Sequence, residues 1–333
     1  MKDLRFGVIG WGYWGPKIAR NLESLSHATV SMVADSDVHR LASLSSQSRT
    51  QITTQAEDIF RSDVDGVVIA TPVRMHYHLA KEALLQGKHV LVEKPLTANV
   101  AEAEELAELA QKQQRILMVG HTFEYSPAVN ELRKLVQNGD LGKIYCVEAE
   151  RLNLGLFRND INVIWDLAPH DISILLYVLG KKPEQIKVQA HAHLQPHIHD
   201  IAHLDFGYAD GMTAHIHISW LHPCKIRRVT VMGDEKMAVY DDTNPAEMIK
   251  VYNKGADVHA DPVVSYRHGA ITIPHIDWIE PLRLECEDFA HAIRTGEQPR
   301  ADAAIGVEVV RLLAAAQEAL EMEERKMLSA VVQ

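Results

Sequence analysis

The sequence predicts two successive architectures: an α/β unit with a doubly wound parallel sheet over residues 1–122, then an α+β unit with a large, mostly antiparallel open sheet over residues 123–333. Three observations predict this. Short β-branched runs alternate with longer helical patterns from Leu4 to about Gly120, as parallel strands joined by helical crossovers do. A glycine-rich turn follows the first of those runs directly. Beyond Pro127 the pattern changes to long segments that alternate apolar and polar residues, the mark of an antiparallel sheet with one covered face. At 333 residues the chain also exceeds the size at which one core usually keeps growing, so two domains packed around a shared cleft are expected.

The strand candidates of the first half are LRFGVIG, ATVSMVA, GVVIA, KHVLVE and RILMV. Most are nearly continuous in apolar residues, as strands buried on both faces are. AEAEELAELAQKQQ has few β-branched residues and apolar spacing near 3.6, so the segment after Pro95 reads as a helix. In the second half a helix is expected from Ala128 to Gln137, leading into KIYCVEAERLNL. AHIHISW, KIRRVTVMG and KMAVYDD carry the two-residue period of strands, and helices near Pro281–Arg294 and Ile305–Glu323 close the chain.

Composition narrows the function classes. A formal charge of −11 opposes binding to nucleic acid or an anionic membrane surface, while leaving room for a local basic pocket. No apolar run reaches the ~20 residues of a membrane span, and the N-terminus enters a strand-like segment instead of a signal peptide. The three cysteines, Cys146, Cys224 and Cys286, are widely spaced and odd in number, which suits a reducing compartment. A cytoplasmic protein acting on a small molecule is expected.

The turn Gly10-Trp11-Gly12-Tyr13-Trp14-Gly15 joins the first strand to a helical run opened by Pro16. In such a GxGxxG turn the first glycine permits the tight bend, the second lets backbone approach a pyrophosphate, and the third lets the helix sit close to the strand. The helix N-terminus then faces the negative charge. This is a Rossmann-type dinucleotide site. Asp35 ends the second strand, where a carboxylate accepts hydrogen bonds from ribose hydroxyls and repels a 2′-phosphate. Ser36 and Asp37 supply no arginine to reverse that preference, so NAD is expected over NADP. Ala70-Thr71-Pro72 lies at another strand end, which makes Thr71, Pro72 and His76 further cofactor candidates.

Glu93-Lys94-Pro95 ends the strand KHVLVE and places a lysine at that same edge. An ammonium there stabilises the alkoxide that develops as hydride leaves a carbinol. In NVIWDLAPHDISILLYVLG, Asp166 and His170 stand four residues apart, on one face of a helix. A histidine titrates near neutrality and takes a hydroxyl proton; an adjacent carboxylate orients it and stabilises its charged form.

With GWGYWG, EKP, the Asp166/His170 pair and the ending EPLRLECEDFAHAIRTGEQPRADAAIGVEVVRLLAAA, the chain resembles the Gfo/Idh/MocA oxidoreductase family over essentially its whole length. The resemblance implies Lys94, Asp166 and His170 as a catalytic trio, with the glycine loop and Asp35 at NAD; Glu93 and Lys94, at the same strand end, are further cofactor candidates. It also implies a homo-oligomer, dimer or tetramer, formed through the open face of the second sheet. Many relatives carry an aspartate three residues after the histidine, where this chain has Ser173, with Asp171 next to the histidine instead. The segment RLNLGLFRNDINVIWDLAPHDISIL looks most like the UDP-N-acetylglucosamine and UDP-N-acetylglucosaminuronate 3-dehydrogenase branch, making Asn153, Arg158, Asn162, Trp165 and His170 substrate candidates. Two alternatives stay open: a dehydrogenase or ketoreductase of a free sugar, inositol or other polyol, and an NAD-binding regulator without turnover. His191, His193, His197, His199, His203, His215, His217 and His222 cluster in sequence. Their HxH pairs project from one face of a strand, an arrangement open to a metal site and equally to a polar sheet surface or subunit contact; the sheet-surface reading is taken, with no metal expected.

Overall fold

A computed structural model describes residues 3–42, 44, 50–258 and 264–331. Their contacts separate two compact units: Met1–Tyr125 with Ile279–Arg311, and Ser126–Trp278 with Leu312–Gln333. Where the sequence reading placed everything after residue 122 in the second domain, the structure returns Ile279–Arg311 to the first unit.

The first unit runs β1 (Leu4–Ile9), α1 (Gly15–Glu23), β2 (Ala28–Ala34), α2 (Val38–Leu41), β3 (Gln51–Thr53), α3 (Ala56–Arg61), β4 (Gly66–Ile69), α4 (His76–Leu85), β5 (His89–Glu93), α5 (Val100–Gln113) and β6 (Leu117–Gly120). The strands form one parallel sheet in the order β3-β2-β1-β4-β5-β6. The order reverses between β1 and β4, so the turns after these two strands flank the switch point at which such sheets bind ligands.

In the second unit α6 (Pro127–Gln137) is followed by β7 (Ile144–Leu154), α7 (Val163–Leu179), β8 (Gln185–His191), β9 (Ile201–Gly207), β10 (Thr213–Ser219), β11 (Leu221–Gly233), β12 (Met237–Asp241), β13 (Ile249–Val258) and β14 (Val264–Thr272). The eight strands are ordered β14-β13-β12-β11-β7-β10-β9-β8. All neighbours are antiparallel except β7 and β10. Along β10, Ala214, Ile216 and Ile218 are buried while His215 and His217 face the other way, as a half-covered sheet requires. The covered face packs on α7, which is apolar nearly all round. A buried bidentate pair ties that helix to the sheet: Arg151 on β7 donates from Nε and Nη2 to the Asp171 carboxylate, each at 2.8 Å.

α8 (Pro281–Thr295) and α9 (Ala303–Val331) close the chain. The return of α8 to the first unit has a physical cause. Its apolar stripe Leu282, Cys286, Phe289 and Ala290 joins the core formed by Phe6, Val8, Ile18 and Leu22, with the Phe6 and Phe289 rings 5.8 Å apart. Each such large side chain contributes about 1.5–3 kcal/mol on burial.

Candidate active site

At the turn after β1, three glycines meet three different constraints. Gly10 has φ +98°, and a Cβ there would lie 2.4 Å from the Ala70 carbonyl oxygen; one at Gly15 would lie 2.0 Å from the Gly10 carbonyl oxygen. A Cβ at Gly12 would meet only the Arg40 Nη1, at 3.8 Å. Gly10 and Gly15 are thus fixed by protein packing, whereas the space over Gly12 is open to a ligand. Tyr13 is exposed, Trp14 partly so, and Lys17 Nζ sits 3.3 Å from the Tyr13 ring centroid.

Asp35 is buried and organises this turn. Its Oδ2 accepts from the Trp11 N–H at 2.6 Å and its Oδ1 from the Asp37 N–H at 2.8 Å. Ser36 and Asp37 supply no arginine, but the structure brings one from further along the chain. Asp37 caps α2, accepting from the His39 N–H, and that helical turn swings Arg40 back to within 3.6 Å of both Asp35 and Asp37. Arg40 stands five residues beyond Asp35 in the sequence, on the short helix α2.

At the end of β4, Thr71 Oγ1 is buried with no hydrogen-bond partner among the described residues, a donor suited to a ligand oxygen or nitrogen. His76 takes a different place from the one expected. It is 1% exposed, and its Nδ1 and Nε2 each lie 2.9 Å from a backbone carbonyl oxygen, of Pro95 and Thr71 respectively. Burial pushes its imidazole below the ordinary value. His76 therefore braces two strand-end turns and has no surface to offer a cofactor. The open Gly12, the helix α1 entered through Pro16, and Thr71 Oγ1 together fit a dinucleotide.

β5 ends in Glu93, followed by a cis Lys94–Pro95 bond. The buried Glu93 accepts the Lys94 N–H on Oε2 at 3.3 Å. Burial pushes its carboxyl up to about 7, opposed by the Lys94 charge. Behind it stand two buried groups that sequence reasoning missed. His121 is pushed down to about 3 by burial and then by Lys94; Glu285 on α8, beside Thr122, is pushed well up by burial and then by Glu93. Glu285 occupies a core position of an amphipathic stripe, and only the fold shows what surrounds it.

In the second unit, α7 carries Asp166 and His170 one turn apart. Asp166 Oδ2 accepts from the Nε1–H of Trp220, a buried side chain, at 3.0 Å. Arg158 Nη1 lies 3.8 Å from Asp166 Oδ1, and the same guanidinium makes a bidentate pair with Asp160. Trp220 stands in the bend between β10 and β11, too far along the chain to be linked to Asp166 by spacing. Asp171 faces away, onto Arg151, and Ser173 donates to the His170 carbonyl oxygen. Trp165 is half-buried, and Asn153 Oδ1 is buried without a partner among the described residues. Asn162, expected at the substrate, is the N-cap of α7: its Oδ1 accepts from the Ile164 and Trp165 N–H groups, and its amide donates to Gln317. Those commitments leave it a structural role.

The clustered histidines divide among separate partners. His203 and His217 stack across β9 and β10 with centroids 4.2 Å apart, while His193 pairs with Asp200, His199 with Glu324 and His215 with Asp205. Burial, then His203 and His222, push His217 down to about 4. Among the described residues no group of three or more His, Cys, Asp or Glu is placed to hold a metal ion. None of their helices is long and apolar enough to cross a membrane.

The fold and the glycine turn define a two-unit protein with a Rossmann-type dinucleotide site. Residues 4–121 match the Gfo/Idh/MocA oxidoreductase family, described as an NAD-binding Rossmann fold, and residues 129–239 match its C-terminal domain. The chain is 30% identical over 317 residues to the UDP-N-acetylglucosamine 3-dehydrogenase of Acidithiobacillus ferrooxidans, covering 95% of this chain and 96% of that one. A solved structure of that enzyme superposes with TM-score 0.80 at 28% identity, over 97% of this chain and 99% of that one. An inositol 2-dehydrogenase of Corynebacterium glutamicum is 29% identical, over 66% of this chain and 69% of its own. GenD2 from gentamicin A biosynthesis, solved with NAD, shares the fold at 22% identity and TM-score 0.82, over 96% of this chain and 95% of that one. The chain belongs to the Gfo/Idh/MocA family; it is an NAD(P)-dependent dehydrogenase, and NAD is its cofactor.

Proposed function

We propose that the chain oxidises the C3 hydroxyl of a UDP-linked amino sugar. The observation that carries the catalytic assignment is Asp166 held at 3.0 Å by the buried Trp220 N–H, with His170 one helical turn further on. The substrate class rests on the similarity to the Acidithiobacillus enzyme over nearly the full length of both chains.

NAD, when bound, supplies the acceptor for hydride. His170 takes the hydroxyl proton as the C3–H bond breaks, so that alcohol becomes ketone with one proton on His170 and one hydride on the nicotinamide. Asp166 stabilises the imidazolium that results. Lys94 offsets the negative charge developing on the substrate oxygen. The first unit holds the cofactor through the glycine turn, Asp35 and Thr71. The second selects substrate through Asn153, Arg158 and Trp165, and its open sheet face, with His203, His215 and His217, joins copies of the chain in a cytoplasmic oligomer.

A free polyol is the second reading, favoured by the similarity to an inositol 2-dehydrogenase. Offering NAD with UDP-N-acetylglucosamine, its uronic acid, myo-inositol and glucose separates the two. NADH formed only with nucleotide sugars supports the first reading; NADH formed only with myo-inositol or glucose overturns it.

A further inference from the structure

At the sheet edge opposite the glycine turn, where β1, β4 and β5 begin, the first unit contains a cavity of about 530 Å³. Leu4, Val64 and Ile293 give it an apolar floor, and Asp65, His89, Arg115 and Arg294 a polar wall. Arg115 donates from Nε to the Gly87 carbonyl oxygen at 2.6 Å and from Nη1 to that of Gln114 at 3.2 Å. Arg294 Nη2 donates to the His27 carbonyl oxygen at 2.8 Å. These carbonyls fix both guanidiniums without cancelling their charge, and neither arginine is ion-paired among the described residues.

His89 adds a donor of settled identity. Its Nδ1 accepts the Ile116 N–H at 3.0 Å, so the neutral ring carries its proton on Nε2. Burial, then Arg115, push this imidazole down to about 4, which keeps it neutral at pH 7. Asp65 is the one carboxylate in the wall, and its Oδ2 already accepts the Arg5 N–H at 2.9 Å. Two guanidiniums and one N–H thus face one carboxylate. Guanidiniums in this setting select carboxylate and phosphate oxygens, and the volume lies in the range of small-molecule sites.

We propose that this cavity is a second ligand site, distinct from the cofactor turn, for a small organic anion. A phosphate monoester or short carboxylate would set its charged end against Arg115, Arg294 and the His89 Nε2–H, with its carbon body on Leu4, Val64 and Ile293.

The test is calorimetric titration of the full chain saturated with NADH, so that the pyrophosphate-binding turn is filled. The probes are glycerol 3-phosphate, succinate and, as a neutral control, glycerol. Saturable one-to-one binding of either anion and none of glycerol is the expected result, with affinity falling at least about tenfold in Arg294→Ala. Arg115→Ala should act alike, but Arg115 also braces the turn before β6. The exposed Arg294, held by a single backbone carbonyl, is therefore the deciding variant, with its melting temperature as the check on folding. Binding of glycerol 3-phosphate alone makes the natural ligand a phosphate monoester, and binding of succinate alone makes it a carboxylate. Absence of saturable binding by both anions up to about 10 mM, or affinity unchanged in Arg294→Ala, overturns the proposal.

Discussion

Trp220→Phe removes the indole N–H that Asp166 accepts and, with it, part of a buried ring. The indole Nε1–H lies 3.0 Å from Asp166 Oδ2, and the side chain is buried. A hydrogen bond to a charged acceptor is worth about 1.5–3 kcal/mol, which bounds the loss in rate at roughly ten- to a hundredfold. Arg158, 3.8 Å from the other oxygen, still holds the carboxylate, so the expected fall in kcat/KM is near the lower bound, about tenfold. Initial rates of NADH formation with the nucleotide sugar measure it, and a titration of NAD binding serves as the control. The loss should appear in kcat with NAD affinity unchanged. The smaller ring also leaves a gap worth about 1–3 kcal/mol of stability, so rates are compared well below the melting temperature. A folded variant with kcat/KM within twofold of the parent would refute the idea that Asp166 acts from the position Trp220 gives it.

Four other outcomes follow from the same geometry. Asp35→Ser relieves the repulsion of a 2′-phosphate and releases Arg40 from one of its two carboxylates; relative kcat/KM for NADP over NAD should rise at least about tenfold. Asp171→Asn strips the charge that matches the buried Arg151, and urea denaturation should register a loss of about 3–5 kcal/mol. Glu93 binds its proton more tightly folded, at about 7 against an ordinary 4.5, so its contribution to stability is present below pH 4.5 and lost as pH rises towards 7. Glu93→Gln should therefore raise the melting temperature at pH 8, relative to its effect at pH 4.5, by the equivalent of about 3 kcal/mol. His121, at about 3 against an ordinary 6.5, runs the other way: its contribution is present above pH 6.5 and lost as pH falls towards 3. His121→Asn should flatten that acid limb in thermal melts across pH 4–7.

The parallel strands were legible because burial on both faces writes continuous apolar runs, as in GVVI of β4, all four residues of which are buried. The antiparallel sheet was legible for the complementary reason: His215 and His217 alternate with Ala214, Ile216 and Ile218 on β10. Membership of α8 in the first unit was not, since an amphipathic stripe states that a face is covered and not by what; Phe6 supplies the answer only in three dimensions. The same limit explains the site. Gly10, Gly15, Asp35, Asp166 and His170 stand out by local spacing. Trp220, Arg40, His121 and Glu285 gain their meaning from neighbours distant in sequence or from an unforeseen helical turn. Asn162 and His76 mislead in the opposite sense, because a loop asparagine and a strand-end histidine read as ligand contacts until their hydrogen bonds are seen committed to α7 and to two backbone carbonyls.

The most direct measurement uses UDP-N-acetylglucosamine carrying deuterium at C3, incubated with NAD and the full chain, with the nicotinamide product analysed by mass spectrometry. The account predicts NADH that carries the deuterium, and a marked slowing relative to the protiated sugar. NADH without deuterium, or no turnover of the nucleotide sugar beside brisk turnover of myo-inositol, would contradict it.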